Sequence, residues 1–179
     1  MTETQIESNT DFTDRQFDEM FDVIHNIDND KYCSIATCLK RPSIHLLNIY
    51  QVPSAMLITI KKDDILNPIN IMLLYKKQSL PMQEFMYIIR HLSDHVDNEV
   101  HIILGDFNID AYNNRNIALQ EILQQYKMIV NDPTHLSGSL LDHVYIRNDL
   151  LEMASSIECI VKCIFFSDHD AVKFKLVFA

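Results

Sequence analysis

Between residues 69 and 107 an apolar run, an amphipathic run and a second apolar run follow one another, and this strand–helix–strand unit limits the fold more than any other stretch. INIMLLY (69–75) is almost wholly apolar and reads as a strand; Pro68 marks a turn in the polar stretch before it. PMQEFMYIIRHLSDHV (81–96) changes period. Phe85, Ile88, Ile89 and Leu92 fall at i, i+3, i+4 and i+7, which predicts an amphipathic helix with Pro81 near its start. EVHIILGDF (99–107) returns to strand. Around this unit, strands are predicted over 21–27, 31–39, 43–52, 54–60, 139–147, 156–166 and 171–179, and a second helix over 114–128. The polar stretch 5–20 reads as a loop or a short helix. Such a mixture builds layers, with sheets packed together and helices outside.

The bulk properties agree with one layered domain. A chain of 179 residues that is 47% hydrophobic can bury a sizeable core, so a single domain over 1–179 and a monomer are expected. No window approaches about 18 uninterrupted apolar residues, so no helical membrane span is expected. Met1-Thr2-Glu3-Thr4 is polar and carries no signal pattern. The four cysteines then read as reduced thiols in an intracellular protein, nuclear or cytoplasmic. The formal charge of −10 argues against a broad grip on phosphate backbone, which needs clustered Lys and Arg. An acidic solvated surface is the simpler account of that charge; part of it can also surround a divalent cation.

Three strand ends carry acids. In ILGDFNID (103–110) one of only two glycines precedes Asp106 and Asn108. A strand end needs glycine where the chain bends sharply or approaches something closely. Asp106 and Asn108 fall on the same side, and a carboxylate beside an amide suits a cation, a water or a phosphate oxygen. An Asx turn explains the same four residues equally well. In SLLDHVYIR (139–147), Asp142 shares a face with Leu140, Val144 and Ile146, where an unpaired carboxylate is costly, so it should have a partner. His143 points the other way and reads as structural. In FFSDHDAV (165–172), Ser167-Asp168-His169-Asp170 packs ionisable groups into a short loop between two apolar strands, and His169 is the natural partner for Asp142. Ser93-Asp94-His95 repeats the SDH motif, and His91 and His95 stand at a metal-ligand spacing, but they fall at a helix end and read as solvated. Cys33/Cys38 and Cys159/Cys163 do not fit zinc-finger spacing; the second pair reads as small core residues.

The order GDFN, LDHV and SDHDAV resembles the endonuclease/exonuclease/phosphatase superfamily, which includes exonuclease III, apurinic endonucleases, pancreatic deoxyribonuclease and retrotransposon endonuclease domains. The mobile-element branch is the most similar. This resemblance implies an α/β (α+β) four-layer sandwich of two mixed β-sheets flanked by helices. It matches Glu3 in MTETQI to a metal-binding glutamate and Tyr75 to a phosphate-contacting tyrosine, although Lys76-Lys77-Gln78 replaces the usual proline-containing sequence. It implies that the first strand–helix–strand is missing before Met1, leaving an N-terminally incomplete copy or a piece of a mobile-element polyprotein.

The function implied is a Mg²⁺-dependent (Mn²⁺ possible) phosphodiester hydrolase, foremost a DNA endonuclease. Glu3 and Asp168 would serve the metal. Asp106 would orient or deprotonate the attacking water, and Asn108 would hold that water or a phosphate oxygen. His169, paired with Asp142, would face the phosphate. The alternatives are a phosphoesterase on RNA or inositol phosphates, which the acidic charge favours, and an inactive remnant with a binding role. Glu3, Asp106, Asn108, Asp142, Asp168 and His169 are expected to meet at one end of two packed sheets.

Overall fold

The computed structural model describes residues 21–27, 33–39, 43–96, 99–113 and 117–178. Its centre is a six-stranded sheet in the order β3-β4-β5-β6-β8-β7. These strands are β3 (Ile44–Val52), β4 (Ala55–Lys62), β5 (Ile69–Tyr75), β6 (Ile102–Asp106), β7 (Tyr126–Met128) and β8 (Asp142–Arg147). Strands β5 and β6 are parallel and their neighbours antiparallel. The parallel step follows from the strand–helix–strand unit, because a crossover helix must return the chain to the same edge.

That helix, α1 (Met82–Ser93), buries Phe85, Met86, Ile89 and Leu92, has Pro81 as N-cap and places Glu84 in its first turn. Its buried stripe meets Leu57, Met72, Leu74, Ile103 and Tyr145 on one face of the sheet, together with Leu119 of α2 (Ile117–Ile122). The opposite face carries Ile71, Ile102, Leu104, Val144 and Ile146. Against it packs a second sheet of β9 (Ala154–Lys162) and β10 (Ala171–Phe178), through Cys159, Val161, Val172, Phe174 and Leu176. Helix, sheet and sheet thus form three of the expected layers; an outer helical layer on the second sheet is not among the described residues. Strands β1 (Phe21–Ile27) and β2 (Cys33–Leu39) form a separate antiparallel hairpin.

Three expectations need correction. The predicted helix 114–128 is helical only over Ile117–Ile122, and Tyr126–Met128 pairs with β8 instead. The open edge of β8 offers those backbone groups ladder partners, and the Tyr126 hydroxyl also donates to the Val100 carbonyl at 2.7 Å. A short helix, α3 (Asn148–Met153), lies in a stretch left unassigned; Leu150 is buried, and the Leu150 N–H donates to the Asp149 carboxylate. Of the cysteines, Cys159 packs against the core as expected, but Cys163 lies beyond β9 and is exposed; both are free thiols. The side chains of Cys33 and Cys38 lie outside the described residues.

Candidate active site

The site begins with Gly105. It is not at the bend: it sits inside β6, paired with Leu74 on one side and His143 on the other, at φ +143°. A Cβ there would stand 1.8 Å from the Leu74 carbonyl oxygen, so close approach of β5 is what requires glycine. The bend comes at Asn108, which adopts φ +47°. Between them Phe107 is fully buried, edge-on to Phe85 at 5.4 Å and stacked on His143 at 4.5 Å. That plug fixes the strand end, and burying one such ring contributes about 2–3 kcal/mol.

Asp106 consequently points to the other face, towards the second sheet. Register puts Tyr75, Asp106 and Asp142 in one row across β5, β6 and β8, and residues paired in this way share a face. Two carboxylates directly opposite each other repel. Asp106, only 2% exposed, accepts the Asn108 backbone N–H at 2.8 Å and its side-chain amide at 3.3 Å. The same amide donates to the Lys76 carbonyl at 2.8 Å, so Asn108 folds back on Asp106 rather than running beside it as in a strand. Lys76 is buried next to them; burial lowers its ammonium pKa, and the Asp106 charge opposes that shift.

Asp142 has the partner its apolar face demands. His169 Nδ1 lies 2.8 Å from its Oδ2, across 27 residues of sequence. Burial pulls the His169 pKa down, but the hydrogen bond to Asp142 and the charges of Asp142, Asp106 and Asp168 outweigh it, and the net shift is upward. His143 is structural, as read: it is buried, with Nε2 against the carbonyls of Ile109 (2.9 Å) and Leu140 (3.1 Å) and Nδ1 facing the Tyr145 hydroxyl at 3.2 Å.

One donor atom from each of Asp106, Asp142 and His169 lies within 4.8 Å of the others. Two hard carboxylate groups and an imidazole at that spacing fit a divalent cation. Asp168 stands apart from the acid pair: its side chain is 70% exposed and faces His135 Nε2 at 3.6 Å, and the two clusters share only His169. Glu3 lies outside the described residues. Asp106, Asn108, Asp142 and His169 are therefore together, with Tyr75 beside them in the row and Asp168 at the rim.

Three residues escaped the sequence reading. Lys76 follows Tyr75 directly and is signalled only by ending an apolar strand. Thr134 is fully buried, and its Oγ1 accepts the N–H groups of Leu141 (3.0 Å) and Asp142 (2.9 Å), while its carbonyl accepts the Asp170 N–H at 2.7 Å. It ties the start of β8 to the loop that carries His169. His135 pairs across a β-bridge with His169, their rings 5.0 Å apart. In contrast, His91 and His95 remain at the end of α1, where His95 is exposed and stacks on Tyr50 at 4.0 Å.

The sequence matches no protein-family model and no curated protein. Solved structures resemble the fold. The endonuclease domain of TRAS1, a telomere-specific non-LTR retrotransposon, aligns at TM-score 0.69 and 16% identity over 88% of this chain and 79% of that one. The human Nocturnin catalytic domain with bound sulfate anion aligns at 0.64 and 11% over 98% and 79%. An endonuclease/exonuclease/phosphatase family protein from Bacteroides thetaiotaomicron aligns at 0.62 and 13% over 90% and 76%. At these identities the likeness establishes the fold: the α/β sandwich of the endonuclease/exonuclease/phosphatase superfamily.

Proposed function

We propose that this chain is a single-domain, divalent-cation-dependent phosphodiester hydrolase that acts on nucleic acid, with DNA as its first substrate. The observation that carries the reading is the row of Asp106 and Asp142 at the end of two packed sheets, with His169 bonded to Asp142. An acid pair that repels itself, capped by an imidazole whose pKa is raised, suits an anionic substrate brought in with a cation.

The carboxylates of Asp106 and Asp142, with Asp168 and Glu3, are the groups that would hold Mg²⁺ or Mn²⁺. When bound, such an ion supplies charge neutralisation at the phosphate. Asp106 orients the attacking water and takes its proton. Asn108 fixes the Asp106 carboxylate through two hydrogen bonds. Asp142 holds His169 by Nδ1, which leaves Nε2 to donate to a phosphate oxygen as charge develops there. Tyr75, next in the row, offers its hydroxyl to the same phosphate.

The charge of −10 favours a second reading, hydrolysis of RNA or of a small phosphoester such as an inositol phosphate. The test is cleavage of supercoiled plasmid, abasic duplex, single-stranded RNA and an inositol phosphate in Mg²⁺, with Asp106→Asn as control. The proposal expects plasmid or duplex cleavage, reduced about 10²–10³-fold in the variant. Cleavage of RNA or the inositol phosphate alone would transfer the site to the second reading. No cleavage of any substrate would leave an inactive fold.

A further inference from the structure

We infer that His135, Asp168 and His169 form a second, nitrogen-rich cation site that takes a borderline transition metal such as Zn²⁺. One donor atom from each lies within 4.8 Å of the others. Two imidazoles and a carboxylate, completed by water, match the donor set zinc accepts and Mg²⁺ does not prefer.

Proximity alone would be weak, and a second observation supports it. A ligating histidine has its other nitrogen anchored, which fixes the tautomer and aims the ring. The His169 ring meets that condition, and Ser137 anchors the His135 ring at Nδ1. His169 Nδ1 is held by Asp142 at 2.8 Å. His135 Nδ1 lies 2.7 Å from the Ser137 hydroxyl, which donates to Ser139 at 3.0 Å, and it also accepts the Ser137 backbone N–H at 3.1 Å, so a cation on Nε2 requires the tautomer in which Nδ1–H donates to that hydroxyl. Each ring is thus left with Nε2, and that of His135 already stands 3.6 Å from the Asp168 carboxylate. The backbone is fixed as well: His135 and His169 are bridged, and the Leu136 N–H donates to the Asp168 carbonyl at 2.9 Å. The three ligands come from two loops stitched together before any ion arrives.

The consequence for the proposed hydrolase is inhibition, and this part rests on that reading. A cation on His169 Nε2 occupies the nitrogen that the phosphate needs, while Asp106 and Asp142 remain intact. Zinc would therefore act as an off-switch rather than as a substitute for Mg²⁺.

The experiment is a competition titration of Zn²⁺ against a chromophoric chelator, repeated with Co²⁺ absorption, on the wild-type chain and three variants. His135→Ala removes the ligand. His135→Asn keeps a polar group near Ser137 but has no Nε2, which guards against a folding defect. Asp106→Asn leaves the proposed ligands untouched. One Zn²⁺ should bind wild type and Asp106→Asn alike, and both His135 variants should bind at least ~10-fold more weakly. Equal affinity in the His135 variants overturns the site, as does loss of zinc in Asp106→Asn, which would put the ion at the acid pair. Mg²⁺-dependent cleavage is then assayed with added Zn²⁺. Wild type should lose activity at the zinc level that fills the site, and the His135 variants should lose a much smaller fraction; equal fractional loss overturns the switch. A wild type that cleaves nothing but still binds zinc through His135 overturns the hydrolase reading and leaves the cation site standing.

Discussion

Gly105 and His143 sit side by side on β6 and β8, and each makes a separate demand on the chain. Gly105→Ala places a methyl group against the Leu74 carbonyl at a φ that side chains avoid, so it should cost at least about 3 kcal/mol, read as a lower urea midpoint with unchanged slope. His143 is neutral in the folded state: burial lowers its pKa, and the Tyr145 hydroxyl donates to Nδ1 while Nε2–H faces two carbonyls. The unfolded chain takes up that proton near the ordinary histidine value of 6.5, whereas the native state resists it to lower pH. The His143 contribution is therefore complete above 6.5 and lost as pH falls through its folded value. His101, also buried with a lowered pKa, adds in the same direction. His169 acts in the opposite sense: its raised pKa gives a contribution complete below 6.5 and lost as pH rises through its folded value. Urea melts at pH 5 and 7 should show a stability loss on the acid side that His143→Gln reduces.

At the scale of elements, the site depends on how β8 is held relative to the loop between β9 and β10. Thr134 links them, and Thr134→Val keeps the volume while leaving the N–H groups of Leu141 and Asp142 without their acceptor. The expected loss is about 1–3 kcal/mol of stability, with kcat falling more than KM rises, because Asp142 loses its placement rather than its chemistry. The acid pair across β6 and β8 makes a different prediction. If it holds a cation, millimolar Mg²⁺ or Mn²⁺ should raise the wild-type Tm and should raise that of Asp106→Asn less; thermal melts with and without the ion read this directly. The sequence was informative here where physics forced a partner. Asp142 lies on an apolar face, an unpaired charge there is costly, and the loop of ionisable groups before the last strand supplies His169. It was uninformative where a local pattern was overridden. The apolar period of 114–128 runs on through Tyr126–Met128, but the edge of β8 takes those backbone groups. Thr134 and His135 sit in a polar turn with no periodicity, and nothing local distinguishes a buried clamp from a solvated loop.

For the whole molecule, two sheets packed face to face, with a parallel step through α1, bring three distant strand ends to one edge. The strand–helix–strand pattern and the alternation around Asp142 were enough to read that layering. The close approach of β5 to Gly105 and the fold-back of Asn108 were not, since both arise from backbone geometry between strands. Under the proposed hydrolase function an acidic molecule must concentrate its reactivity at that edge, so the central claim is that Asp142 and His169 work there as one unit with Asp106. The most direct measurement is a double-mutant cycle on Mg²⁺-dependent cleavage, using Asp142→Asn, His169→Gln and the pair. Each single change should reduce the rate by about 10²-fold or more, and the double should lose little beyond either single. Losses that multiply, or single variants that cleave at the wild-type rate, would contradict it.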